Sequence, residues 1–232
     1  NPLHGATMRS NSYRPNLEPL TTYYLMVKPR NSLGVTECPT IYSFTTMGVL
    51  NTYPYVQTVE EVTAPNFPPY WSSMDFGPLS WVTTSLIGYN SSKSFACFSQ
   101  SGQPKPIDNW LISPPFQVSA AKEYKLNYAY RCFFPTNPEA LKVVWGFNAD
   151  PVSLNNVLMD NPSFNDQNWL LGDHLIVPAA DDHIFIGWHA YTESGMGQFI
   201  DAIKLEDWGA VGVAESPERQ INVSYSAGNL VI

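Results

Sequence analysis

Hydrophobic and polar positions alternate along much of this chain. In Tyr124-Lys125-Leu126-Asn127-Tyr128-Ala129-Tyr130 the apolar residues fall on every second position, the period of a strand with one buried face. Leu141 to Phe147 and Ile184-Phe185-Ile186-Gly187-Trp188 read the same way, and Thr22 to Val27 is rich in β-formers before a turn cluster at Pro29, Asn31 and Gly34. Prolines fall between these runs, at Pro65, Pro68-Pro69, Pro104, Pro106, Pro114-Pro115, Pro135, Pro138, Pro151 and Pro178. Short strands punctuated in this manner predict an antiparallel sandwich or barrel. One window departs from the pattern. Asp150 to Leu158 predicts a short helix, with Asp150 as its cap and Pro151 in its first turn. The absence of strand–helix alternation, of G-x-G-x-x-G and of G-x-x-x-x-G-K-S/T excludes a nucleotide-binding α/β fold.

Composition narrows the partners. The 232 residues carry 12 basic and 20 acidic side chains, a formal charge of −8, which argues against the clustered cations that nucleic acid or an anionic membrane surface requires. No window approaches the roughly 20 apolar residues of a membrane-spanning helix. The sequence has no initial Met and no charged n-region before an apolar core, and is expected to begin downstream of any signal peptide. Cys38, Cys97 and Cys132 allow one disulfide at most and show no C-x-x-C spacing, with Cys97 and Cys132 on apolar, strand-like stretches. The 20 prolines, the few lysines and the many Asn, Ser, Thr and Tyr lean towards a secreted or cell-surface setting. Asn90-Ser91-Ser92 and Asn222-Val223-Ser224 fit the glycosylation pattern, which chance also produces. Composition shifts divide the chain into 1–48, 49–208 and 209–232.

Three stretches resemble known families. Leu17-Glu18-Pro19-Leu20-Thr21-Thr22-Tyr23-Tyr24 to Val27, then Asn31-Ser32-Leu33-Gly34, then Ser43-Phe44-Thr45-Thr46 resemble the second half of a fibronectin type III domain. The central part resembles the cleaved-adhesin or MAM-like domains, also called choice-of-anchor J, a family common on secreted proteins of Bacteroidetes. The stations are Val59-Glu60-Glu61 with Phe67-Pro68-Pro69-Tyr70-Trp71, then Asp75 and Trp81, then Asp108-Asn109-Trp110-Leu111-Ile112-Ser113-Pro114, then Ile184 to His189 with Phe199-Ile200-Asp201-Ala202-Ile203. Val59, Trp188 and Ala202 depart from the residues usual in that family. The tail from Val211 through Ile221-Asn222-Val223 to Gly228-Asn229-Leu230-Val231-Ile232 resembles the first strands of a type IX secretion sorting domain. Together these imply an all-β chain: a jelly-roll β-sandwich preceded by part of a fibronectin type III-like sandwich.

Candidate chemistry is sparse. Of seven tryptophans, Trp110, Trp145 and Trp188 lie in apolar runs and are expected in the core. Trp81, Trp169 and Tyr191 stand among polar residues and are the candidates for stacking against a sugar ring. The family resemblance implies that Glu60, Asp75 and Asp201 gather around a structural calcium, although they form no local calcium-binding loop. His4, His174, His183 and His189 show no H-E-x-x-H, no G-x-S-x-G is present, and Glu139 or Asp160 could imitate one half of a glycosidase pair. The resulting expectation is a non-catalytic module recognising a glycan or a host protein. A structural spacer and an accessory fragment of a secreted glycosidase or peptidase are the alternatives.

Overall fold

A computed structural model describes residues 17, 21–36, 40–77, 79–98, 104, 106–211, 224–226 and 229–231. Cys38, the linker 212–223 and Ile221 to Val223 lie outside these residues. The first segment holds β1 (Thr22–Leu25), β2 (Arg30–Asn31), β3 (Gly34–Val35) and β4 (Tyr42–Thr45). β1 and β4 form an antiparallel ribbon with Tyr23 stacked on Phe44, and β2 and β3 form a hairpin. That hairpin turns where the sequence predicts, because Asn31 Oδ1 accepts the Leu33 N–H at 2.9 Å and Gly34 adopts φ +142.

The body contains β5 (Tyr55–Gln57), β6 (Ser72–Asp75), β7 (Trp81–Thr84), β8 (Ser94–Phe98), β9 (Asn109–Ile112) and β10 (Phe116–Val118). It continues through β11 (Lys122–Cys132), β12 (Glu139–Gly146), β13 (Asn156–Phe164), β14 (Leu170–Ile176), β15 (Asp182–Ala190) and β16 (Gly197–Ala210). A separate pair, β17 (Ser224–Ser226) and β18 (Asn229–Val231), follows. The front sheet runs β13-β12-β15-β9-β6 with β10 beside β15, and the back sheet runs β14-β11-β16-β8-β7 with β5 beside β16. Within both sheets every strand pairing is antiparallel. Apart from the consecutive pairs β12–β13 and β7–β8, neighbours along each sheet order are distant in sequence, as in an antiparallel jelly-roll sandwich.

The core lies between the sheets. Trp188, Leu111, Leu141 and Val143 of the front sheet meet Tyr128, Tyr130, Leu126, Ile200 and Phe95 of the back sheet, and both Cys97 and Cys132 are free thiols buried there. Trp145 and Trp188 are core residues as expected. Trp110 is buried as well, at 7% exposure, but belongs to a second, smaller cluster with Ile112, Val144 and Leu154. Alternation explains the difference: Leu111 points into the sandwich, so Trp110 and Ile112 point out of it.

The helix expected over 150–158 does not form. Asp150 caps as predicted, its Oδ1 accepting from Val152 N at 3.0 Å and Ser153 N at 3.1 Å, but the chain makes one turn only and enters β13 at Asn156. One turn fixes several dihedrals for few hydrogen bonds, whereas a strand from Asn156 completes a ladder with β12. The turn lies tightly on the sheet, since a Cβ at Gly146 would meet the Ser153 carbonyl oxygen at 1.9 Å.

Candidate functional site

Register assembles one row of side chains on the outside of the front sheet. Asp160 of β13 is opposite Lys142 of β12, Lys142 opposite His189 of β15, His189 opposite Trp110 of β9, and Trp110 opposite Met74 of β6. Their sequence neighbours Trp188 and Leu111 are fully buried, so the row faces away from the core. Its members interact directly. Lys142 Nζ lies 2.8 Å from Asp160 Oδ2, and His189 Nε2 lies 2.7 Å from Asp108 Oδ1. The Trp110 and His189 rings are parallel, with centroids 4.2 Å apart and 8° between planes. Tyr191 lies beside this stack, its ring 5.3 Å from His189 and tilted by 33°, donates its hydroxyl to Asp160 and lies under the Lys142 ammonium at 5.6 Å. Gly187 makes the arrangement possible, because a Cβ there would meet Trp110 Cε3 at 3.2 Å and Leu154 Cδ1 at 2.9 Å.

Electrostatics hold the row in one protonation pattern. Burial lowers the His189 pKa below its usual 6.5 against the opposing pull of Asp108, so the imidazole is neutral at physiological pH. Hydrogen bonds from Lys142 and Tyr191 lower that of Asp160, and burial with the Asp160 hydrogen bond pushes the Tyr191 phenol up to about 12. Asp108 and Asp160 keep 57% and 42% of their side chains exposed, leaving carboxylate oxygens for a ligand. The loop after Tyr191 is fixed from below. Glu139, fully buried, accepts Thr192 Oγ1 at 2.9 Å and the backbone N–H groups of Met196 and Gly197 at 2.7 Å each.

Because folding lowers the His189 pKa, its contribution to stability is complete above 6.5 and is lost as pH falls through the folded value. Chemical denaturation at neutral pH and at about pH 5 should therefore show a smaller loss of stability on acidification for His189→Gln than for the parent. An identical loss in both proteins would mean that His189 does not couple to folding.

The sequence candidates separate in space. Trp81 is not a surface residue: it is 1% exposed and donates its indole N–H to the Asn109 carbonyl at 3.1 Å. Its polar neighbours Thr83 and Thr84 are buried too, because this stretch is strand β7 and not a loop. Trp169, half-buried, packs edge-on against Tyr89 with the Arg131 guanidinium 5.9 Å from its ring, beside the back sheet. Tyr191 alone joins the row. His189, Asp108, Lys142 and Trp110 escaped sequence reasoning as site residues. Alternation does place His189 opposite in direction to Trp188, but only register aligns the four strands.

The three acids also part company. Asp201 of β16 accepts Tyr89 N at 2.7 Å and Ser91 Oγ at 2.8 Å on Oδ2, and Ala202 N at 2.6 Å on Oδ1. Glu60 accepts Ser92 N at 3.0 Å and Lys93 N at 2.7 Å on Oε1, and Ser92 Oγ at 2.6 Å on Oε2. Both thus close on one loop, 88–93. Asp75 is in the front sheet opposite Asn109, with Ser73 Oγ 3.3 Å away. Six hydrogen bonds on four oxygens occupy most of the roughly eight lone-pair positions that Glu60 and Asp201 have. Calcium takes six to eight oxygens, and among the described residues no group of three or more acidic, His or Cys side chains is placed to hold a metal. The three acids therefore do not gather around one point, as the resemblance implies, because Asp75 belongs to the other sheet.

No family model matches the chain, and no curated protein matches it in sequence. Solved structures do. A cleaved adhesin domain of Lys-gingipain from Porphyromonas gingivalis superposes with a TM-score of 0.56 at 16% identity, covering 67% of this chain and 98% of that one. A second cleaved adhesin domain of Lys-gingipain gives a TM-score of 0.53 at 18% identity, covering 66% and 98%. A xylan-binding domain from Paenibacillus barcinonensis gives 0.49 at 12% identity, covering 67% and 94%. The body of this chain has the fold of the cleaved adhesin domains.

Proposed function

We propose that this chain is a non-catalytic recognition module of a secreted or cell-surface protein, and that the outer row of the front sheet binds a neutral glycan. The observation that carries this reading is the registered line Asp160–Lys142–His189–Trp110, with the Tyr191 ring tilted against His189 at its side. An aromatic face next to fixed carboxylate and ammonium groups suits the alternating C–H faces and hydroxyls of a sugar ring. Discrete polar atoms favour a hydroxyl-rich ligand over a protein surface. The two exposed carboxylates and the formal charge of −8 disfavour acidic sugars. Catalysis is not part of the reading: Asp160 is held by Lys142, and Glu139 is sealed beneath the 192–197 loop.

A glycan array followed by calorimetry on the leading neutral oligosaccharide tests it. Tyr191→Ala and Asp160→Ala should each weaken binding at least about tenfold, ~1.4 kcal/mol. Trp169→Ala, on the other side of the molecule, should leave the affinity unchanged. An array without a reproducible ligand, or an affinity that depends on Trp169 and not on Tyr191, would overturn the assignment.

A further inference from the structure

The loop 88–93 ties the 60–62 segment to β16, and its last residue supplies a positive charge. The Lys93 backbone N–H reaches Glu60 Oε1, and its side chain turns to the same segment, donating from Nζ to the Glu60 carbonyl at 2.6 Å and the Val62 carbonyl at 2.7 Å. From the other end, Tyr89 N and Ser91 Oγ hold Asp201 of β16. Two backbone carbonyl oxygens converging on one cation supply part of the oxygen set that a hard divalent ion takes. We propose that the Lys93 ammonium is the cation of this junction, so that the sandwich closes its 60–62 segment onto the entry to β8 without a divalent metal.

Charge and hydrogen bonding favour this arrangement. A lysine ammonium has three donors and no acceptor, and two of them are spent here on carbonyl oxygens that would otherwise be the natural neutral ligands of calcium. A dication entering the same space would displace the ammonium or sit against a like charge at short range. Around it, the Ser92 hydroxyl, the backbone N–H groups of Ser92 and Lys93 and the Lys93 charge keep Glu60 ionised, its pKa below the usual carboxylate range. Both carboxylates, Glu60 and Asp201, are thereby held by hydrogen-bond donors of the chain itself. This inference concerns the back of the molecule and does not depend on the glycan reading.

Thermal melts of the whole chain decide it. The parent, first dialysed against EDTA, should melt at the same temperature with EDTA and with added calcium. Lys93→Met, which keeps the apolar stem and deletes the charge, should lower Tm by roughly 5 °C. Lys125→Met, which removes a surface pair with Asp173, should change it by less. A parent Tm that falls with EDTA and recovers with calcium would overturn the proposal, whether or not the variant folds. So would a Lys93→Met protein that melts with the parent.

Discussion

Replacing Trp188 by alanine should cost about 3–5 kcal/mol and, in a domain of this size, leave little of the native state at physiological temperature. Trp188 is fully buried on β15, the strand between β12 and β9 in the front sheet. Its ring packs against Trp71 at 5.6 Å and edge-on against Tyr128 at 6.0 Å, linking the opening segment to both sheets. Neither aromatic can follow the backbone far enough to fill the space. The indole nitrogen has no hydrogen-bond partner among the described residues, so Trp188→Phe should be much milder than Trp188→Ala, at roughly 1–2 kcal/mol. Urea unfolding of the two variants separates volume from polarity. Equal losses would show that a hydrogen bond, and not packing, is what the residue supplies.

Glu139→Ala should be nearly as damaging, about 3 kcal/mol or more, for a different reason. It leaves the Thr192 hydroxyl and the Met196 and Gly197 N–H groups without their acceptor in a place that water does not reach. The fit is close, since a Cβ at Gly195 would approach Glu139 Oε2 to 2.3 Å. Glu139→Gln keeps an oxygen for the two N–H groups, and the Thr192 hydroxyl can rotate, so this variant should lose under about 1 kcal/mol. Burial raises the Glu139 pKa above the ordinary 4.5. Its protonated form is therefore favoured in the folded state, and the stability this adds is present below 4.5 and lost as pH rises through the folded value. Glu139→Gln should remove that part of the pH dependence. Were the glutamine variant as unstable as the alanine variant, the buried charge itself would be the stabilising element. Because this loop follows Tyr191 directly, Glu139→Ala should also weaken the glycan binding proposed for the outer row.

Several features were legible in the residues alone. The strands at Tyr124–Tyr130, Leu141–Phe147 and Ile184–Trp188 were readable because a period of two is imposed locally by the pleat. The Asn31–Gly34 turn and the Asp150 cap were readable because each depends on a side chain bonding its own neighbouring backbone. The resemblance to cleaved-adhesin domains likewise led to the correct sandwich. What failed were the inferences about environment. Trp81 looked exposed because Thr83 and Thr84 follow it, yet polar residues on a covered edge strand satisfy themselves within the fold, as Thr83 Oγ1 does by donating to the Asn66 carbonyl at 2.8 Å. Trp110 is buried, as its apolar neighbours predicted, but only the pleat shows that it and Leu111 serve two hydrophobic clusters on opposite faces of one strand.

The site belonged to the tertiary structure entirely. Asp160, Lys142, His189 and Trp110 come from four strands that are scattered in sequence and become neighbours only through register, and a slip of one residue would turn His189 inward and Trp188 to solvent. The same holds for Glu60 and Asp201, which meet because the 88–93 loop folds between them, while Asp75 is carried to the other sheet. Sequence determined the strands whose alternation is regular, since that is a property of nearest neighbours along the chain, and it missed β7 and the start of β13, where the alternation is not. Which side chains share a surface is a property of pairing between distant strands, and no local pattern encodes it.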